Sequence, residues 1–173
     1  MTVLLGLDPG LAALGWGIVR AHDDRIQALA FGVLRTERRP GLVIGRDLAV
    51  RLGELACGLQ AVLDDQHPDE AAIEEFRFYG KAVTSSLQVA NVVGMLRETL
   101  RSRGIPVAEY SAREIKRAVV GYANATKAQV QKTVAVHLGM REPPRPEHAA
   151  DALAAAICHA ARLPLLRAAG GSP

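Results

Sequence analysis

The sequence predicts one α/β domain, a mixed sheet flanked by helices. Three observations carry that expectation. Residues 2–8 form a nearly continuous apolar run, the pattern of a strand buried on both faces. Two further strand-like runs follow before any helical periodicity, which suggests an antiparallel meander. From residue 44 onward, helix-period segments alternate with short apolar runs, so the chain reads βββαβαβαα with a terminal helix behind it. At 173 residues the chain has the length of a single domain. That domain is expected over residues 1–166, with a frayed tail, RAAGGSP, over 167–173.

The elements follow in order. Pro9-Gly10 ends the first strand. Residues 16–20 and 26–36 are the next two, with a turn at Asp23-Asp24. Residues 44–66 place Leu48, Leu52, Leu55, Leu59 and Leu63 at helical spacing, and residues 64–69, containing Pro68, break that helix. Ala71, Ala72 and Ile73 make a short buried strand running into Glu74-Glu75. Residues 84–103 are helical and stop at Gly104, and residues 106–110 form the last strand. Ser111-x-x-Glu114 and Thr126-x-x-Gln129 are capping boxes, each opening a helix, and Gly139 ends the second. Pro143, Pro144 and Pro146 stiffen a link to an Ala-rich helix that begins near Glu147.

Composition narrows the function. An apolar share of 49% and a charged share of 23% exclude a mostly disordered chain. No run reaches the ~18 uninterrupted apolar residues of a membrane helix, and MTVLLGLDPG lacks the basic start of a signal peptide. A cytoplasmic protein, nucleoid-associated and without a membrane partner, is the expectation. Cys57 and Cys158 lie far apart in apolar helical settings and read as buried thiols, not as a disulfide or metal pair. The net charge is only +3, yet it is unevenly spread. Residues 1–75 hold 7 basic and 12 acidic side chains, and the remainder holds 14 and 6. The basic part is therefore the one suited to phosphates. Aromatics make up 4%, and Phe76, Phe78 and Tyr79 crowd together with Arg77 and Lys81. Aromatics among cations suit stacking on unpaired bases. Phe76 and Phe78 at period-2 spacing also suit ordinary core packing.

Four residues stand in unusual places. Asp8 ends the most apolar strand, where a buried carboxylate is costly unless paired. Glu74 ends the apolar run Ala71–Ile73 in the same way. Asp151 lies among Ala149, Ala150, Ala152 and Leu153, small residues that let a helix approach a sheet closely. His148, three residues earlier, shares its face. Singly, each has a plain reading as a turn, strand-end or surface residue. Jointly, carboxylates from two strands and one helix can converge, repel one another, and be relieved by divalent cations. Oxygen donors suit Mg²⁺ or Mn²⁺, and two such ions form a clamp for phosphodiester hydrolysis. No CxxC, HExxH or P-loop motif is present.

Four segments, LLGLDPG, AAIEEF, SAREIKRAVVGYANATKAQVQ and EHAADALAAA, resemble in order and spacing the RuvC Holliday-junction resolvases. The resemblance spans residue 2 to about residue 161. It implies an RNase H-like fold with a five-stranded sheet, a homodimer, and metal-dependent paired nicking of four-way DNA junctions in recombination and repair. A branch-migration helicase complex is the further partner it implies. Its catalytic and metal positions fall on Asp8, Glu74, His148 and Asp151, holding two Mg²⁺ or Mn²⁺ ions. Many members of the family it resembles carry Asp where this chain has His148, and some carry His. Imidazole is softer than carboxylate, so a preference for Mn²⁺ is expected. His148 as a proton carrier is the other reading.

Lys116, Arg117 and Lys127 fall in or beside the family's basic positions, and Arg113 and Lys132 add to the field. Arg97, Arg101 and Arg103 read as a solvated helix face. The resemblance places an aromatic wedge in the segment after Glu74, with Phe78 or Tyr79 as the wedge, Arg77 and Lys81 as flanking contacts, and Phe76 as partly core. Leu87, Val89, Val92, Val93 and Leu96 suit either a dimer contact or the core. Three rivals compete: an actin-like ATPase or sugar kinase, a non-catalytic junction-binding module, and an RNase H-like nuclease acting on other structures such as RNA–DNA hybrids. The chain is short for the first and lacks its second Asp-x-Gly loop. The retained Asp8, Glu74 and Asp151 argue against the second, and the basic helices and FRFY segment against the third.

Overall fold

The computed structural model describes residues 1–22, 25–76 and 83–168. Its elements are β1 (Thr2–Asp8), β2 (Ala13–His22), β3 (Arg25–Arg35), α1 (Ile44–Gln66), β4 (Glu70–Glu74), α2 (Val83–Ser102), β5 (Val107–Tyr110), α3 (Ala112–Val120), α4 (Lys127–His137) and α5 (Glu147–Ala168). The five strands form one sheet in the order β3-β2-β1-β4-β5. β1, β2 and β3 pair antiparallel, whereas β4 pairs parallel with both β1 and β5. The expected mixed sheet flanked by helices is what forms.

Strand alternation sorts the side chains between two cores. Leu5, Leu7, Ala71 and Ile73 face α1 and α2, packing with Leu55, Leu59, Val92 and Leu96. Leu4 and Ala72 face the other way, onto Leu153, Ala155 and Ala156 of α5 and onto residues of α3 and α4. Asp8 shares the parity of Leu4, and Glu74 that of Ala72. The period of two therefore turns both carboxylates toward α5.

α5 lies unusually close to the sheet. Gly6, Gly15 and Gly17 sit under it, and a Cβ at any of the three would overlap Ala152, His148 or Leu153. The facing alanines complete a small-on-small contact that brings the first turns of α5 against the ends of β1 and β2. By length and composition α5 would suit a membrane span, but most of it is packed inside this fold.

Both capping boxes form, at Ser111 with Glu114 and at Thr126 with Gln129. Gly104 and Gly139 take positive φ just beyond the ends of α2 and α4, as expected of terminating glycines. Three features differ from the sequence expectation. β2 starts at Ala13, because its ladder with β1 continues to the Asp8–Gly15 pair and its ladder with β3 to the Ala13–Arg35 pair, through residues of weak strand propensity. Cys57 is exposed, since it falls opposite the buried Leu55 and Leu59 stripe of α1; only Cys158 is buried. α5 continues to Ala168, past the expected start of the tail. The Asp23-Asp24 turn and residues 169–173 lie outside the described residues. On α2, Val92, Val93 and Leu96 belong to the core, Val89 is half-buried, and Leu87 stays exposed.

Candidate active site

Three of the four predicted site residues meet at the open end of β1. Ligand atoms of Asp8, His148 and Asp151 all lie within 4.8 Å of one another. His148 Nδ1–H donates to Asp8 Oδ2 at 2.7 Å. The i,i+3 spacing of His148 and Asp151 puts both on the α5 face turned to the strand ends. Glu74 stands outside this tight set but lines the same cleft, a hollow of about 380 Å³ bounded also by Ala112, Ile115, Lys116, Lys127, Val130 and Ala154. A buried brace ties the segment after β1 to α1. Thr36 Oγ1 donates to the Leu11 carbonyl at 2.6 Å, and Arg51 Nε donates to Thr36 Oγ1 at 2.9 Å. Asp47, also buried, lies 3.5 Å from the same guanidinium.

Charge crowding and burial both raise the proton affinity of the acids. Burial pushes the Asp8 carboxyl above its ordinary value, and Asp151 adds to the rise while the His148 hydrogen bond opposes it. Glu74 is pushed from 4.5 up to about 7, first by burial and then by the charges of Asp8 and Asp151. Lys127 offsets part of this load. Its Nζ lies 2.9 Å from Asp151 Oδ2 and 3.0 Å from Glu147 Oε1.

The Glu74 shift has a testable sign. Below pH ~4.5 the carboxyl is protonated in folded and unfolded chains alike and contributes nothing. As pH rises from ~4.5 to ~7 the unfolded chain releases its proton first, so the fold loses stability, and the loss is complete above ~7. Glu74→Gln should therefore stabilise the protein in EDTA at pH 8 by roughly 1–3 kcal/mol and leave it unchanged at pH 4. Melting curves at the two pH values check this; an equal difference at both would refute it.

This donor set fits hard divalent cations. Carboxylate oxygens predominate, they crowd at the cost of raised proton affinity, and one imidazole joins them. The spacing matches no zinc motif, and among the described residues neither cysteine approaches the cleft.

The basic residues divide. Lys116 lines the cleft, and Arg113 and Arg117 share its exposed face of α3 opposite the buried Ile115 and Val119. Lys127, expected on DNA, pairs in this DNA-free structure with Glu147 and Asp151 of the acidic cluster. Lys132 is exposed about 140° around α4 from Lys127 and does not line the cleft. Arg97, Arg101 and Arg103 pair with Glu109, Glu98 and Asp64, the solvated face expected of them. Phe76 is half-buried. Arg77, Phe78, Tyr79 and Lys81, the expected wedge and its flanks, lie outside the described residues. Sequence reasoning missed Glu147 and the buried Asp47–Arg51 pair. Glu147 had a signal, as an acid one residue before His148; the pair had an i,i+4 spacing within a helix otherwise read by its leucines.

A mixed sheet of this order, with acids gathered beside its central strand and under a C-terminal helix, defines an RNase H-like nuclease. Residues 4–159 match the profile described as crossover junction endodeoxyribonuclease RuvC. A relative of that name from Chloroflexus aurantiacus is 42% identical over 163 residues, covering 94% of this chain and 95% of its own. The Thermus thermophilus RuvC structure superposes with a TM-score of 0.82 at 30% identity, covering 94% of this chain and 96% of that one. T. thermophilus RuvC in complex with Holliday junction substrate matches at 0.81 and 32%, with coverage of 92% and 93%. The chain belongs to the RuvC family of crossover junction endodeoxyribonucleases.

Proposed function

We propose that this protein resolves four-way DNA junctions by hydrolysing two opposing strands, with Asp8, Glu74, His148 and Asp151 as the ligands of two divalent cations. The convergence of Asp8, His148 and Asp151 within 4.8 Å carries the reading. When bound, such cations supply water activation at neutral pH and neutralise charge at the phosphate. The chain's own groups do the rest. Asp8 and Asp151 hold the metal side of the cleft, and Glu74 closes it from β4. Asp8 orients the His148 ring through the 2.7 Å hydrogen bond. Lys127 keeps an ammonium beside Asp151, where an incoming phosphate would find a partner. Lys116, Arg113 and Arg117 face the backbone of the DNA, with Lys132 contributing at longer range. Phe78 or Tyr79, flanked by Arg77 and Lys81, stacks on bases opened at the crossover. Two equivalent sites in a homodimer suit a substrate with two-fold symmetry. A branch-migration helicase supplies the junction to that dimer.

The deciding measurement is nicking of an end-labelled synthetic four-way junction with Mn²⁺ or Mg²⁺ at matched concentrations. Paired nicks are expected, faster in Mn²⁺ because His148 softens the donor set. His148→Asp should move the preference back toward Mg²⁺. Binding without paired nicks would remove the nuclease reading. Equal cutting of linear duplex would remove junction selectivity. A clear Mg²⁺ preference in the unaltered protein would remove the argument from His148.

A further inference from the structure

α5 carries a buried polar chain that the reaction above leaves unused. His159 is fully buried in the middle of α5. The Tyr110 hydroxyl donates to its Nδ1 at 2.8 Å, and its Nε2–H donates to Glu70 Oε2 at 3.1 Å. Burial keeps the imidazole below its ordinary pKa in spite of Glu70, and pushes the Tyr110 phenol up to about 12. Both rings thus stay neutral near pH 7, and each of the two protons has one acceptor. Arg167 adds a 3.0 Å bond to Thr2 Oγ1 and lies 3.8 Å from Glu70 Oε1.

The partners of His159 are tied to the active site by short routes. Glu70 opens the strand that Glu74 closes. Tyr110 stands opposite Glu74 in the β4–β5 pairing, and its carbonyl accepts from the Glu75 N–H at 2.8 Å. α5 runs antiparallel to β4, so Asp151 and His159 on the helix face Glu74 and Glu70 on the strand. The two spans match. Eight helical residues from Asp151 to His159 cover ~12 Å, and four strand residues from Glu74 to Glu70 cover ~13 Å. Both residues lie on one continuous helix, so an axial shift at the His159–Glu70 link also moves Asp151 relative to Glu74. Where α5 crosses β1 the seat offers little to oppose such a shift, because Gly6 lies under Ala152 and Ala156, side chains too short to interlock along the helix axis; Leu153 and Ile157 pack into the core on either side, with apolar contacts that carry no direction. Directional hydrogen bonds fix a register where small side chains do not.

We propose that Glu70, His159 and Tyr110 form a register clamp that sets where α5 stops along β4, and with it the spacing of His148 and Asp151 from Asp8 and Glu74. The clamp rests on the ligand assignment made above. Its members are positioning residues and touch neither metal nor DNA.

The test compares His159→Leu, His159→Gln and Tyr110→Phe with the unaltered protein. Mn²⁺ binding to the DNA-free protein is followed by electron paramagnetic resonance, junction affinity is measured in EDTA, and single-turnover nicking is measured well below each melting temperature. His159→Leu should bind the junction about as tightly as the unaltered protein, need ~10-fold more Mn²⁺ for half-saturation, and nick ~10-fold more slowly. His159→Gln, whose amide still donates to Glu70, should recover most of both losses. A purely structural role would lower the melting temperature and leave the Mn²⁺ midpoint of the folded protein in place, and that result overturns the clamp. If His159→Leu does not fold, Tyr110→Phe decides, since it removes one hydroxyl: a higher Mn²⁺ midpoint supports the clamp and an unchanged one overturns it. If the unaltered protein binds no Mn²⁺, the ligand assignment fails, and the clamp with it.

Discussion

Asp8→Asn should slow junction nicking by ~10³-fold or more, about 4 kcal/mol of transition-state stabilisation, while junction binding is retained. Asp8 contacts His148 directly and shares the tight donor set with Asp151, so it is the acid most central to the cluster. The substitution is nearly isosteric. The amide oxygen of the new side chain would still accept from His148 Nδ1–H, so the cleft keeps its shape and loses one charge. That charge is one the fold resists, because burial already raises the Asp8 pKa. Melting in EDTA at neutral pH should therefore be unchanged or slightly higher. Removing a negative charge from a cleft that faces phosphates should also hold or tighten junction affinity. Gel-shift titration, melting and single-turnover nicking on one preparation separate the possibilities. A variant that lost nicking and melting temperature together would assign Asp8 a structural role. One that kept its nicking rate would remove it from the reaction.

The site was legible wherever a short-range rule governs side-chain direction. Alternation along β1 and β4 settles that Asp8 and Glu74 point to one side of the sheet. The i,i+3 spacing on α5 settles that His148 and Asp151 point together. What stayed hidden depends on how elements far apart in sequence lie against each other. The pairing of Lys127 with Asp151 is one such case, since nothing local tells that the first turn of α4 lies beside Asp151. Cys57 reads as apolar by its neighbours, yet the seam of α1 is set by Leu55 and Leu59. The clamp at His159 needed the antiparallel course of α5 over β4, which no local pattern states. The glycines at 6, 15 and 17 are the instructive middle case. All three were in plain view on the first two strands, but their meaning appears only once α5 is known to lie above them.

Gly6→Ala should be among the most damaging single changes to this protein, because it acts on fold and site at once. The added methyl would fall onto the Ala152 carbonyl oxygen, 2.8 Å from the Ala156 nitrogen and 2.9 Å from the Ala152 carbonyl carbon. These are backbone atoms, so no rotamer change can make room. Either α5 lifts or β1 bends. Overpacking of this kind costs about 1–3 kcal/mol and sometimes more, which for a chain of this size lowers the melting temperature by roughly 3–10 °C. The site feels the same displacement directly. Asp151 is the neighbour of Ala152, and Asp8 is two residues from Gly6, so the methyl wedges apart the two acids proposed as joint ligands of a cation. Nicking should then fall even at temperatures where the variant is fully folded. Gly53→Ala is the matched comparison. Gly53 lies in α1 with nothing within 4 Å of an added Cβ, so alanine there should raise stability by up to ~1 kcal/mol through helix propensity and leave nicking unchanged. If Gly6→Ala melted with the unaltered protein, the close seat of α5 on β1 would be wrong. If it melted low yet nicked at the full rate when folded, the spacing of Asp8 and Asp151 would not depend on that seat.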